Sequence, residues 1–412
     1  MNRNDRAIVG VAMTAHAMVH TYELSIPIFM TIWLGAFDVG PGTLGLAVAL
    51  GYALFGLGAL PGGILADSVG SRPLIAGSLV GMGLSFVALH FASSIVLVAA
   101  ALVLWGVAAS VYHPSGLSLI SKGVEQRGNA FALHGMAGNL GIALGPLTAT
   151  ILLSFLDWTA VALVLAVPAL LGGAFALRID FEESAAVDAD LERTSSVASL
   201  SEFVVESRRL FASAFVVVFG LVIGSGLYYR GTLTFLPEIL QSFALFEPVQ
   251  VANRTLEPYR YVYSGLLLVG MAGQYVGGKL TDRPGTERSL ALAFGTLVLI
   301  ALVYRPASTA GVVPFLLVSG LLGLFLFMVQ PLYQATVADY TPAGSRGLSY
   351  GYFYLGAFGV GAAGAAIAGT LLDRFSPAVL FAVLAGFAAL AAVLAAALHL
   401  GYGRMLGGDE TT

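Results

Sequence analysis

Apolar runs long enough to span a bilayer as a helix, about twenty residues each, succeed one another along this chain with only short polar connectors between them. From Trp105 to Pro146, two such runs flank the connector Lys122-Gly-Val-Glu125-Gln-Arg127. The 412 residues are 58% hydrophobic and 10% charged, where a soluble domain carries about 25% charged residues. No soluble core could enclose that much apolar surface, so lipid has to be the main solvent of the fold. With no cysteine, disulfide and thiolate chemistry are excluded. The net charge of −4 and the lack of a basic stripe argue against a nucleic-acid partner. The N-terminal MNRNDR leads into an apolar run too long for a signal-peptide core, which reads as a retained first span.

The pattern predicts an all-α membrane protein of twelve spans, at 7–34, 42–66, 73–92, 95–121, 128–155, 158–178, 210–240, 258–281, 288–304, 311–338, 346–372 and 377–400. With the N-terminus inside, 14 of the 19 basic residues fall in cytoplasmic segments and four in outside segments, while Arg230 lies within a span. Lys/Arg excess marks the cytoplasmic side, so both termini are expected there.

Residues 179–209 form the longest polar stretch and divide the chain into an N-terminal bundle at 1–178 and a C-terminal bundle at 210–412. The stretch reads as a solvated linker with one surface helix near 198–209. The two halves repeat. GGILADSVGSRP at 62–73 returns as GGKLTDRPGTER at 277–288, Arg127-Gly128 as Arg346-Gly347, and His113-Pro114 as Gln330-Pro331, at offsets of 215–219 residues. A 6+6 duplication of this kind predicts a substrate site between the halves near the bilayer midplane.

Ionisable residues inside spans are costly and mark pathways. His16, His20 and Glu23 follow at i, i+4 and i+7, which sets them on one helix face. His113 and His134 lie in the fourth and fifth spans. Three readings stay open for this group. It can be a proton relay, because histidine titrates near neutrality. It can be a metal site built on the His16/His20 pair and a carboxylate, although the sequence offers no further ligand cluster, so no metal is expected. Or the histidines are hydrogen-bonded core residues. Arg230 in GSGLYYRGTLTF stands at a depth close to that of Glu23; it is expected to pair with Glu23 or to bind an anionic group of a substrate. Tyr22, Tyr229, Gln330, Tyr333, Gln334 and Tyr354 are candidate substrate contacts. Glu238 and Asp339, at span ends, read as gate or surface residues.

The loop Gly63-x-x-x-Asp67-x-x-Gly70-x-Arg72, with its echo Gly278-x-x-x-Asp282-x-x-Gly285, resembles the A motif of the major facilitator superfamily. The resemblance covers essentially the whole chain. It implies two pseudo-symmetric six-helix bundles and alternating access. It also implies that Gly63, Asp67, Gly70, Arg72 and Asp282 act at a cytoplasmic gate, with Asp67 capping a helix of the opposite half. Ser68 and Ser71 replace basic residues usual in that loop. Gly141-x-x-x-Gly145-Pro146 resembles the core of the antiporter motif of efflux members, though Ala132, Ala149 and Thr150 stand where further glycines are usual. VYHPSGLSLISKGVEQRGNAFALHGMAGNLGIALGP looks most like the fosmidomycin-resistance-type efflux branch. In that fold spans one and four line the N-terminal side of the cavity, and spans seven and ten the C-terminal side. The fourth span lacks the arginine that many proton-driven members carry, so the first-span acid or the histidines would have to handle protons.

No Walker loop and no nucleophile elbow is present, so neither ATP hydrolysis nor enzymatic turnover is expected. The expectation is a monomeric secondary transporter in the cell membrane, without cofactor, that exports a small organic solute by proton antiport. Proton-coupled import of an organic anion, and a non-transporting sensor on the same scaffold, remain as alternatives.

Overall fold

The computed structural model describes residues 1–186, 200–252, 254–341 and 346–401, without the side chains of Asp67, Leu200, Glu202, Arg346 and Gly347. These residues fold into helices and one small hairpin. The first helices are α1 (Arg3–Ala36), α2 (Pro41–Leu57), α3 (Ala59–Val69), α4 (Ser71–His90), α5 (Ile95–Ser110), α6 (Tyr112–Gly123), α7 (Arg127–Leu153) and α8 (Trp158–Arg178). They are followed by α9 (Leu200–Phe211), α10 (Phe215–Gln241), α11 (Pro258–Thr281), α12 (Thr286–Thr309), α13 (Val312–Asp339), α14 (Arg346–Tyr354), α15 (Ala363–Arg374) and α16 (Pro377–His399). Strands β1 (Val249–Val251) and β2 (Arg254–Leu256) pair antiparallel between α10 and α11.

Ten helical runs among the described residues are long and apolar enough to cross a membrane. Of the twelve expected spans, α1 and α11 are the two outside this set. Both are long enough, 34 and 24 residues at about 1.5 Å per residue. Polar side chains dilute them: His16, His20, Glu23 and Ser25 in α1, and Arg260, Ser264 and Gln274 in α11. Large apolar side chains such as Leu50, Ile64, Leu171 and Val313 face outward around both repeats. A chain solvated by lipid presents this surface.

The chain forms two compact units. One is Met1–Ser196 with Pro248–Tyr261; the other is Val197–Glu247 with Val262–Thr412. The hairpin therefore groups with the first unit. Arg254 donates to Ser154 O (3.0 Å) with its guanidinium 4.0 Å from the Phe155 ring centre, and Tyr259 bonds to Thr31 (3.2 Å).

Packing repeats as the sequence does. In the first unit, Cβ atoms on Gly51, Gly106 and Gly62 would press on Leu102 O, Gly51 O and the Pro114 ring. In the second, Cβ atoms on Gly323 and Gly277 would press on Leu266 O and the Pro331 ring. The offsets of 215–219 residues carry each contact of the first set onto one of the second, apart from Gly51 on Leu102. Small residues at these crossings let backbones approach.

Of the expected linker, residues 187–199 lie outside the described residues, while 179–186, exposed or half-buried, are tied to the first unit by hydrogen bonds. Asn4 and Glu182 exchange side chain-to-backbone bonds (2.7 and 3.1 Å), Ala186 N donates to Lys122 O (2.9 Å), and Arg127 donates to Ala186 O (3.0 Å). The polar groups of this segment meet open helix ends as well as water. Beyond it, α9 occupies the place of the expected surface helix.

Candidate functional site

Proline places the centre of the first unit. In the fourth predicted span, Pro114 removes a backbone N–H and crowds the carbonyl of Ser110, so the helix breaks into α5 and α6 between Ser110 and Tyr112. The second span breaks at Gly58, where a Cβ would overlap the Ser110 side chain. The two breaks therefore lie against each other. The residues just past the α5–α6 break, Tyr112 and His113, are buried toward α1.

The glycine stripe of α7 closes the other side. A Cβ on Gly138 would sit 2.7 Å from His16 Nδ1, one on Gly145 would lie 2.6 Å from Thr21 Cα, and one on Gly141 would collide with Ala17 O. Gly141 and Gly145, the core of the antiporter-like motif, thus form the seam between α1 and α7. That seam lets the His16 ring lie on the α7 backbone. Pro146 is buried within α7, which stays unbroken.

His16, His20, Glu23, His113 and His134 meet there, all but the 12% exposed side chain of His20 being buried. His16 stacks on His134 (centroids 3.9 Å, 12° between planes) and meets His113 edge-on (5.2 Å). His16 Nδ1 lies 2.8 Å from His134 O, His20 Nε2 lies 3.1 Å from His16 Nε2, and His20 Nδ1 lies 2.5 Å from Glu23 Oε2. Tyr112 donates to Ala12 O (2.5 Å) and receives His134 Nε2–H (3.0 Å). Tyr52 donates to Glu23 O (3.0 Å), fixing the α1 backbone at the acid. A ring nitrogen from each of His16, His20 and His113 lies within 4.8 Å of the others, so these three could hold a metal ion.

These partners assign the protons. A carbonyl only accepts, so His16 Nδ1 carries a proton and the neutral ring leaves its Nε2 bare. The bond between the two Nε2 atoms then needs a proton on His20. The His20–Glu23 bond needs one more, on either partner. A neutral His20 beside a Glu23 carboxylate would have one proton for two bonds. Three bonds need three protons, one more than two neutral imidazoles carry, so the geometry accommodates one extra proton shared among His16, His20 and Glu23.

In the second unit the polar groups keep different company. Arg230 on α10 is 2% exposed, with its guanidinium 5.6 Å from the Tyr229 ring centre and 5.4 Å from that of Phe358. Phe358 belongs to a π-helical segment, Leu355–Val360, inserted between α14 and α15. Such insertions are often found at functional sites. Gln330 accepts from Gln274 Nε2 (2.8 Å). Tyr333 packs on Phe353 and Tyr354 on Phe358, while Gln334 is exposed on α13.

Two groups of expected site residues lie elsewhere. Tyr22 is turned into its own unit, where it donates to Leu165 O (2.8 Å) and packs on Phe86. The motif loop is held by a residue that the sequence reading assigned to the linker. Glu183 accepts from Ser71 N (2.7 Å) and Arg72 N (3.1 Å), capping α4 just after Gly70, whose φ of 92° favours glycine. Arg72 bonds to Ala176 O and Leu177 O (2.9 and 2.8 Å) and lies over Phe181. A Cβ on Gly63 would only graze Pro114, and Asp282 is exposed. The Asp67 side chain lies outside what is described. Tyr112, Tyr52, Gln274 and Glu183 were missed by the sequence reading; only Tyr112, adjacent to His113-Pro114, carried a signal.

Residues 5–363, and again 264–402, match the Major Facilitator Superfamily. The chain belongs to this family. It is 25% identical over 302 residues to the uncharacterized MFS-type transporter YfnC of Bacillus subtilis (strain 168), covering 70% of this chain and 68% of that protein. Similar solved structures include a mutant of the nucleoside transporter NupG, with TM-score 0.76, 12% identity and coverage of 95% of this chain and 99% of that one. An inward-facing bacterial homologue of the lysosomal transporter Spinster gives 0.71 at 14% identity, covering 100% and 99%. The peptide transporter POT with sulfate gives 0.69 at 18%, covering 98% and 96%. At these identities the likeness is one of fold. This facilitator is a multi-pass membrane transporter and not an enzyme.

Proposed function

We propose that this chain is a proton-coupled secondary transporter that exports a small organic solute by alternating access. In this reading α1 and α11 complete twelve spans, with both termini cytoplasmic. The observation that carries it is the bonded chain His16–His20–Glu23, packed among His113, His134 and Tyr112, which has room for one extra proton. A group that gives up a proton only by losing a hydrogen bond can tie protonation to a change in helix packing. A net favourable bond to a charged partner is worth about 1.5–3 kcal/mol, enough to bias two conformations by roughly ten- to a hundredfold.

The fosmidomycin-resistance-type likeness of the His113–Pro146 region supports export and names a probe. Fosmidomycin is itself an organic anion, and in this reading Arg230 serves as its counter-charge. The second reading, proton-coupled import of an organic anion, is favoured by Arg230 alone. In proteoliposomes with an imposed pH gradient, labelled fosmidomycin should move against the proton flux, and a protonophore should abolish its accumulation. Accumulation in the direction of proton flow would favour import, and accumulation indifferent to the protonophore would exclude proton coupling.

A further inference from the structure

We propose that His16, His20 and His113 form a binding site for one divalent transition-metal ion of the class that prefers imidazole, such as zinc or cobalt. The sequence offered the His16/His20 pair with a carboxylate, and no ligand from a second helix. The break before Pro114 supplies the third from another helix, and the three ring nitrogens lie within 4.8 Å of one another. The Nε2 atoms of His16 and His20 are 3.1 Å apart. Two imidazoles on one tetrahedral zinc, each about 2.0–2.1 Å from the metal, stand about 3.4 Å apart. The pair is therefore already near ligand spacing.

The outer contacts are in place as well. Metal-bound histidines as a rule donate their second ring nitrogen to a carbonyl or a carboxylate, which fixes the ring and the tautomer. His16 Nδ1 faces His134 O at 2.8 Å, and His20 Nδ1 faces Glu23 Oε2 at 2.5 Å. Both arrangements leave Nε2 pointing at the same spot. The His134 ring stacked on His16 and the edge contact with His113 hold the rings there. Three protein ligands with a fourth position open is a coordination that zinc accepts.

A bound ion would take the lone pairs of both Nε2 atoms and exclude any proton from between them. It would therefore inhibit proton-driven transport, a consequence that rests on the coupling proposed above. Binding itself does not rest on it.

The test uses full-length protein in detergent with any affinity tag removed. Equilibrium dialysis against Co²⁺ should find one ion per chain, with the visible spectrum of a four-coordinate, nitrogen-ligated site. His113→Gln should weaken binding at least tenfold. This variant should fold, because Gln330 stands at the matching place in the second unit. Glu23→Gln, which alters only an outer contact, should weaken binding by about 10- to 100-fold. His90→Gln should bind as the wild type does, since His90 bonds to Thr159 O away from the cluster. No Co²⁺ on folded wild-type protein, or equal binding by His113→Gln, overturns the proposal. The two proposals fail separately: a pH gradient that drives transport in a protein that binds no Co²⁺ sinks the metal site alone, and Co²⁺ binding without gradient dependence sinks the coupling alone.

Discussion

Four histidines and a glutamate in the first unit are bonded or stacked on one another, whereas Arg230 in the second unit sits among aromatic rings. The backbones differ in parallel. At the repeated proline the first unit breaks between α5 and α6, while α13 runs unbroken through Pro331. In the span after it, α7 stays regular through Pro146, and the second unit instead carries the π-helical turn. The first unit thus breaks two helices, at Gly58 and before Tyr112, and the second opens a different one to seat its polar side chains. The break turns His113 toward His16 and His20, and the π turn carries Phe358 to Arg230. The two units thus divide their polar groups: a bonded cluster of titratable side chains in the first and a single guanidinium among aromatic rings in the second.

If that division is right, Glu23→Gln should have the largest effect. It replaces the carboxylate with a neutral amide that can neither take a proton nor balance an imidazolium, so gradient-driven transport of fosmidomycin should fall roughly ten- to a hundredfold, by the value of one charge-assisted hydrogen bond. Solute exchange without a gradient should persist. Full gradient-driven transport in Glu23→Gln would remove the first unit from coupling.

Arg230→Gln should act on the other side of the comparison. Affinity for the anionic probe should drop about tenfold, one ion-assisted hydrogen bond's worth, while the response to the pH gradient is kept. Lysine is a weaker substitute, because it lacks the planar fork that grips an oxyanion. The Glu23/Arg230 charge swap tests whether the two residues act as a pair. Recovery of transport in the swap, above either single variant, would show that they do, and would blur the division of labour.

Much of the fold was legible because lipid imposes it: span length and small-residue crossings are written in composition and spacing. Of the site, the α1 face could be read from the i, i+4, i+7 spacing of His16, His20 and Glu23. That His113 and His134 close on it could not, since it depends on the direction taken after the α5–α6 break. The π turn left no local signal, because it arises from how 355–360 pack against α10. There a Cβ on Gly226 would meet Ala357 O. Glu183 was misread because an acidic segment without periodicity looks solvated until a helix N-terminus is placed beside it.

A smaller effect should come from the seams that seat the two sites. Gly145→Val drives a branched side chain into Thr21 Cα, and Gly226→Val drives one into Ala357 O. Overpacking costs about 1–3 kcal/mol, read as a lower thermal midpoint of purified protein. The comparison sharpens in the choice of lost function: the first variant should impair coupling, the second affinity for the anionic probe.

The smallest effect concerns the two helices that follow the repeated motif loops. Glu183 caps α4 through Ser71 N and Arg72 N, whereas α12 begins after Gly285, at φ 89°, with no side-chain cap among the described residues. Glu183→Ala should therefore cost about 1 kcal/mol, as for loss of an ordinary N-cap. The loss should appear as a lower thermal midpoint with fosmidomycin affinity unchanged. A cap also couples the segment after α8 to the start of α4, so the variant should expose 179–186 to protease sooner than wild type. If the midpoint and the protease pattern both stay as in wild type, the docked segment is not held by this carboxylate, and the two motif loops are equivalent after all.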